Sequence, residues 1–149
     1  MKRTINVHTG EIMTGCDEVV LNSNTNKSCF LIAAYDSKRK IGAMAHAIYQ
    51  DESEVVELHP KIAKDAPHAI DEMIKDMRLL GSKIEDIEVK LVTGENVPHT
   101  HNDPHYVNRL KNIIGLLDEK KIKHTKEIAV DVGAQHVLLD VETGKLIFK

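Results

Sequence analysis

Two apolar runs on either side of a short charged connection constrain this chain more than any other stretch. Ser23-Asn24-Thr25-Asn26-Lys27-Ser28 is polar, Cys29 closes it, and Phe30-Leu31-Ile32-Ala33-Ala34-Tyr35 follows. Asp36-Ser37-Lys38-Arg39-Lys40 then leads into Ile41-Gly42-Ala43-Met44-Ala45-His46-Ala47-Ile48-Tyr49. Two such runs joined by a short polar connection read as a β-hairpin. A turn centred near Ser37 or Lys38 sets Cys29 opposite His46 or Ala47. Directly opposed residues of an antiparallel pair have Cβ atoms about 4.5–5.5 Å apart. A thiol and an imidazole at that spacing can share a hydrogen bond.

The rest of the chain reads as one domain spanning residues 1–149, long enough to bury a core without disulfides or metal. Aromatic residues are only 3%, with no Trp, so the core is aliphatic. A net charge of −3 argues against a nucleic-acid binder and, more weakly, against adsorption to a membrane surface. No apolar run approaches the length of a membrane span. Two cysteines, Cys16 and Cys29, make no disulfide framework, so the natural compartment is the reducing cytoplasm, where a thiol stays free to act as a nucleophile.

In chain order, residues 4–8 alternate as a strand and Thr9-Gly10-Glu11 reads as a turn. Residues 12–14 and 17–21 are further strands separated by Gly15-Cys16, and 22–28 form a polar loop. After the hairpin, 50–54 is an acidic loop. Ile70, Met73, Ile74, Met77 and Leu80 recur at helical spacing, with Gly81 as the stop. Residues 84–92 read as a strand and 95–104 as a loop rich in Asn, His and Pro. A second helix carries Val107, Leu110, Ile113, Ile114 and Leu117 on its apolar face, with Asp103 and Pro104 at its start. Residues 122–131 form a strand, and 137–148 a terminal hairpin turning at Glu142-Thr143-Gly144. Strands, helix, strand, helix, strands make an α+β domain with much antiparallel pairing.

Three constellations could carry chemistry. Cys29 with His46 is the first: the imidazole takes the thiol proton, and the thiolate attacks. A loop entering Cys29 can offer backbone N–H groups to a developing oxyanion. The bland alternative is that Cys29 is one more buried cysteine. His99, His101 and His105 form the second, a candidate metal site, against the plainer reading of solvated loop histidines. Cys16 is the third, a redox thiol on one reading and a small buried residue on the favoured one. Lys38-Arg39-Lys40 reads as a solvated turn, with contact to acidic helices of a partner as the lesser reading. The Met and Ile stripe of the first helix reads as core.

Ser28-Cys29 entering an apolar strand, and Gly42-Ala43-Met44-Ala45-His46 on the return, resemble the CheD chemoreceptor glutamine deamidases. Val89-Lys90-Leu91-Val92-Thr93-Gly94 and Val141-Glu142-Thr143-Gly144-Lys145-Leu146-Ile147 extend the resemblance over nearly the whole chain. It implies a CheD-like cysteine hydrolase fold, α+β with largely antiparallel packed β-sheets flanked by two main helices, that converts protein glutamine to glutamate, in some members also cleaving glutamyl methyl esters. It further implies Cys29 as nucleophile, His46 as general base and acid, and Ser23 at the third catalytic position, where typical members carry threonine. No cofactor and no metal are implied. The implied partners are the cytoplasmic helices of chemoreceptors as substrate and a CheC-type phosphatase; nucleic acid and membrane insertion are not among them. Asn24-Thr25-Asn26-Lys27 stands where typical members carry glycines. That difference motivates the alternative of a catalytically weakened binding module docking to a receptor or a CheC-type phosphatase.

Overall fold

The computed structural model describes residues 2–8, 10–24, 29–48, 66–93, 104–128 and 136–149. At the edges of these stretches the side chains of 29, 30, 48, 66, 93, 104–109 and 126–128 fall outside the description. Nine strands and two α-helices lie among the described residues: β1 Arg3–Val7, β2 Ile12–Cys16, β3 Val19–Asn24, β4 Cys29–Asp36, β5 Ile41–Ile48, α1 Ala66–Leu79, β6 Ile87–Thr93, α2 Pro104–Glu119, β7 Lys123–Ile128, β8 His136–Asp140 and β9 Leu146–Phe148. They build an α+β domain, as the alternation of patterns predicts, and it is made of two sheets and a helical layer. One sheet has the order β1-β3-β8-β9 and the other β2-β5-β4-β6-β7.

Side-chain alternation on the central hairpin makes the layers. Leu31, Ala33 and Met44 point toward the four-stranded sheet and pack with its Val7, Leu21, Val137 and Leu139. Ile32, Ala34, Ala43, Ala45 and Ala47 point the other way, onto Ile70, Met73 and Met77 of α1 and Ile113 and Leu117 of α2. A strand buried on both faces reads as a continuous apolar run, which is why β4 and β5 stand out in the sequence. The alanines of β5 are small enough to let α1 lie close against the sheet. Leu80, expected in the stripe of α1, is 47% exposed and Leu79 is 77% exposed. The stripe ends at Met77 because the helix closes within the next turn, at Leu79: Gly81 has φ +112°, and Ser82 N–H bonds Met77 O at 3.0 Å while Gly81 N–H bonds Arg78 O at 3.0 Å. Those two bonds are a Schellman cap, as the glycine predicts.

Two pairings are parallel, β1 with β3 and β6 with β7. Each follows from a crossover. β2 leaves the first sheet for the second before β3 returns, and α2 carries the chain from β6 to β7. Residues 84–86, expected as strand, form a short 3₁₀ turn before β6. Gly15 and Cys16, expected between strands, lie inside β2.

The hairpin itself differs in register from the expected one. Asp36 pairs with Ile41 and Cys29 with Ile48, while His46 faces Leu31. The turn therefore centres between Lys38 and Arg39. The Asp36 carboxylate explains the shift: it accepts from Lys38 N–H at 3.0 Å and Arg39 N–H at 3.3 Å, folding the connection back on itself. It also accepts from Ser82 Oγ at 2.7 Å and from the Arg39 guanidinium at 3.1 Å. Arg39 reaches on to Asp86 at 2.9 Å, and Lys38 joins Asp86 at 3.0 Å. The basic turn is thus engaged by this chain's own carboxylates, and those cations hold the Asp86 carboxyl below the usual range.

Candidate active site

His46 and Ser23 come from different sheets. Ser23 lies on β3, in a stretch whose polarity suggests a loop; it continues the strand and shares with Leu21 the face that meets the other sheet. His46 lies on β5, two residues beyond Met44, on the face that meets the first sheet. Each is only 2% exposed. Ser23 Oγ and His46 Nδ1 are 3.0 Å apart across the space between the sheets.

The proton inventory of that contact is decided by its neighbour. Ser23 Oγ–H donates to the carbonyl of Val7 at 2.6 Å. A carbonyl can only accept, and a hydroxyl has one proton to give. His46 Nδ1 must therefore carry a hydrogen and donate it to Ser23 Oγ. The neutral ring then has its lone pair on Nε2. That atom is buried and has no hydrogen-bond partner among the described residues. Burial holds the His46 pKa down, from 6.5 to about 4, so the imidazole is neutral at neutral pH. A neutral ring with a fixed tautomer and its lone pair on Nε2 can take a proton from a donor brought to it.

The backbone of His46 is also fixed. Its carbonyl accepts from Gly10 N–H at 2.7 Å and its N–H donates to Glu11 O at 3.1 Å. The turn before β2 was legible as Thr9-Gly10-Glu11, but nothing in the sequence tied it to His46. Val7, through its carbonyl, was equally invisible, because a backbone acceptor leaves no mark in composition.

Cys29 opens β4, with its backbone paired to Ile48. The position opposite His46 is Leu31. By strand alternation positions 29 and 31 belong to one face, so Cys29 stands diagonal to His46 rather than directly across from it. The thiol itself, and residues 25–28 of the loop before it, lie outside the described residues. So do His99 and His101 and the side chain of His105; among the described residues no cluster of three or more His, Cys, Asp or Glu could hold a metal. Cys16 is a free, half-buried thiol whose pKa is raised by burial and by the charge of Asp17. No helix among the described residues is long and apolar enough to cross a membrane.

No family model matches the chain. It is similar to the chemoreceptor glutamine deamidase CheD of Thermotoga maritima, 28% identical over 130 residues, 82% of this chain and 76% of the relative. It is also similar to probable chemoreceptor glutamine deamidases CheD of Maridesulfovibrio salexigens and Chlorobium luteolum. The first is 25% identical over 137 residues (88% of this chain, 80% of the relative), the second 23% over 141 residues (93% and 69%). Over most of its length the chain is thus similar, at 23–28% identity, to these chemoreceptor glutamine deamidases CheD. Among solved structures it is similar to the Bacillus licheniformis hypothetical protein YfiH, with a TM-score of 0.46 and 15% identity. That match covers 79% of this chain and 49% of the other, so the chain spans about half of that structure.

Proposed function

We propose that this chain is a cysteine hydrolase of the CheD family that deamidates glutamine side chains of chemoreceptor helices, with Cys29 as nucleophile, His46 as base and acid, and Ser23 as the group that orients His46. The observation that carries the reading is the buried Nε2 of His46, without a hydrogen-bond partner among the described residues, on a ring held in one tautomer by the Ser23 hydroxyl and the Val7 carbonyl. The register of the hairpin supports it, since Cys29 and His46 occupy diagonal positions of one face.

In this reading Nε2 takes the Cys29 proton as sulfur bonds to the glutamine side-chain carbonyl carbon. The oxygen becomes an oxyanion, for which backbone N–H groups near Cys29 are the natural donors. The imidazolium gives its proton to the amide nitrogen, the carbon–nitrogen bond breaks, and ammonia leaves. Water then loses a proton to Nε2 and attacks the thioester. Glutamate is released and the proton returns to sulfur. Nδ1–H bonds Ser23 throughout, so the ring stays aligned while its charge changes. Glutamyl methyl esters present the same carbonyl with methanol as the leaving group and fall within the same chemistry. The chemistry belongs in a reducing compartment such as the cytoplasm. A CheC-type phosphatase is the docking partner under the alternative, binding-module reading.

The test is mass spectrometry of glutamine-bearing receptor peptides incubated with wild type and with Cys29→Ala. A gain of about one dalton per amide converted, with ammonia released, is expected from wild type and not from Cys29→Ala. Full conversion by Cys29→Ala would refute the nucleophile. No conversion of any receptor peptide by wild type would favour the binding module.

A further inference from the structure

The turn between β1 and β2 touches both members of the His46–Ser23 pair from one side. Val7, at its start, accepts the Ser23 hydroxyl proton. Gly10 and Glu11, at its end, take the carbonyl and the N–H of His46. The turn is closed by two bonds between His8 and Glu11. Glu11 N–H donates to His8 O at 2.8 Å, and the Glu11 carboxylate, through Oε1, accepts His8 N–H at 2.8 Å. Gly10 has φ +85°, in the left-handed region that a glycine enters without the penalty of a Cβ. A strand pair needs no carboxylate to continue its ladder. Here a side chain is used to lock the backbone whose amide and carbonyl groups hold His46.

We infer that Glu11 is a positioning residue for His46: its carboxylate fixes the Val7–Glu11 turn, and the turn fixes both the backbone of His46 and the hydroxyl that sets its tautomer. The inference rests on the hydrolase reading for its functional consequence, but its structural part stands apart from it. Loosening the turn lets Gly10 and Glu11 drift from the His46 backbone and Val7 O drift from Ser23. The ring then samples more than one orientation and tautomer. Displacement of a reacting group by even 1 Å can cost catalysis dearly, so the effect should fall on kcat.

The experiment compares full-length wild type, Glu11→Ala and Glu11→Gln by steady-state deamidation kinetics and by long-range nitrogen–proton NMR of the His46 ring, assigned with His46→Gln. Glu11→Ala is expected to lower kcat about tenfold with KM within about twofold, and to move the His46 ring nitrogens toward a mixture of tautomers. Glu11→Gln keeps an accepting oxygen and is expected to recover both. A Glu11→Ala protein with a lowered melting temperature but an unchanged His46 ring spectrum would overturn the inference, because the carboxylate would then serve the fold alone. If wild type deamidates nothing yet the ring responds to Glu11→Ala, the hydrolase reading fails and the positioning role stands. Should Glu11→Ala unfold, Gly10→Ala replaces it: the same shift of the ring is expected from strain at φ +85°, and an unshifted ring counts against the inference.

Discussion

His46→Gln is expected to lower glutamine deamidation by about 10³-fold, the effect of removing a general base and acid from the reaction. A glutamine fills similar space and can still meet Ser23, so the loss should appear in kcat while the fold persists. The same variant should change how stability responds to acid. In the folded protein His46 titrates at about 4, whereas an unfolded histidine titrates near 6.5. As pH falls below 6.5 the unfolded chain binds a proton that the folded chain refuses. The stability contributed by the neutral ring is therefore complete above about pH 6.5 and is lost on the way down to about pH 4. The loss amounts to about 3 kcal/mol in wild type. Urea titrations at pH 7, 5.5 and 4 measure it, and His46→Gln should lack that part of the slope. Equal slopes in the two proteins would mean that His46 is protonated inside the fold, and unchanged deamidation would remove it from the reaction.

Asp36→Ala is expected to destabilise the domain by about 3 kcal/mol, because it removes several hydrogen bonds to one buried charge. The carboxylate is fully buried and receives Ser82 Oγ, two turn N–H groups and Arg39. Truncation leaves the buried Ser82 hydroxyl without that acceptor. Arg39 keeps Asp86, so Arg39→Ala should cost less than Asp36→Ala. Chemical denaturation with circular dichroism gives both values. Equal costs would show that the guanidinium, not the carboxylate, is the centre of the cluster. The consequence reaches the site: a one-residue slip of the hairpin would turn His46 toward α1 and away from Ser23. The register that Asp36 sets thus underlies the whole arrangement.

Much of this is legible in the sequence. The hairpin, the stripe of α1, the Gly81 cap and the terminal hairpin each depend on local pattern, and each appears. Packed sheets were expected, but which strand joins which sheet was not legible, because β1, β2 and β3 are short, similar strands whose partners are set by tertiary packing. The parallel pairs follow from that division and were hidden with it. Ser23 illustrates the harder failure. Asn22, Ser23 and Asn24 have the composition of a loop, yet they extend β3. Strand alternation from Leu21 was the available signal, and polarity overrode it. A polar residue on an inward face is what a functional site requires, so local propensity misleads there. The register was missed by one or two residues because the side chain of Asp36 decides where the turn folds.

The central claim is that the Cys29 thiol is activated by Nε2 of His46. The rate of iodoacetamide alkylation at Cys29 and Cys16, read by peptide mapping in wild type and His46→Gln below the free-thiol pKa of about 8.5, tests it most directly. Cys16 serves as the internal reference, its thiol already held back by burial. The account predicts fast labelling of Cys29 in wild type, slow labelling of Cys16, and a Cys29 rate that falls toward that of Cys16 in His46→Gln. Equal, sluggish labelling of both cysteines in both proteins would contradict it.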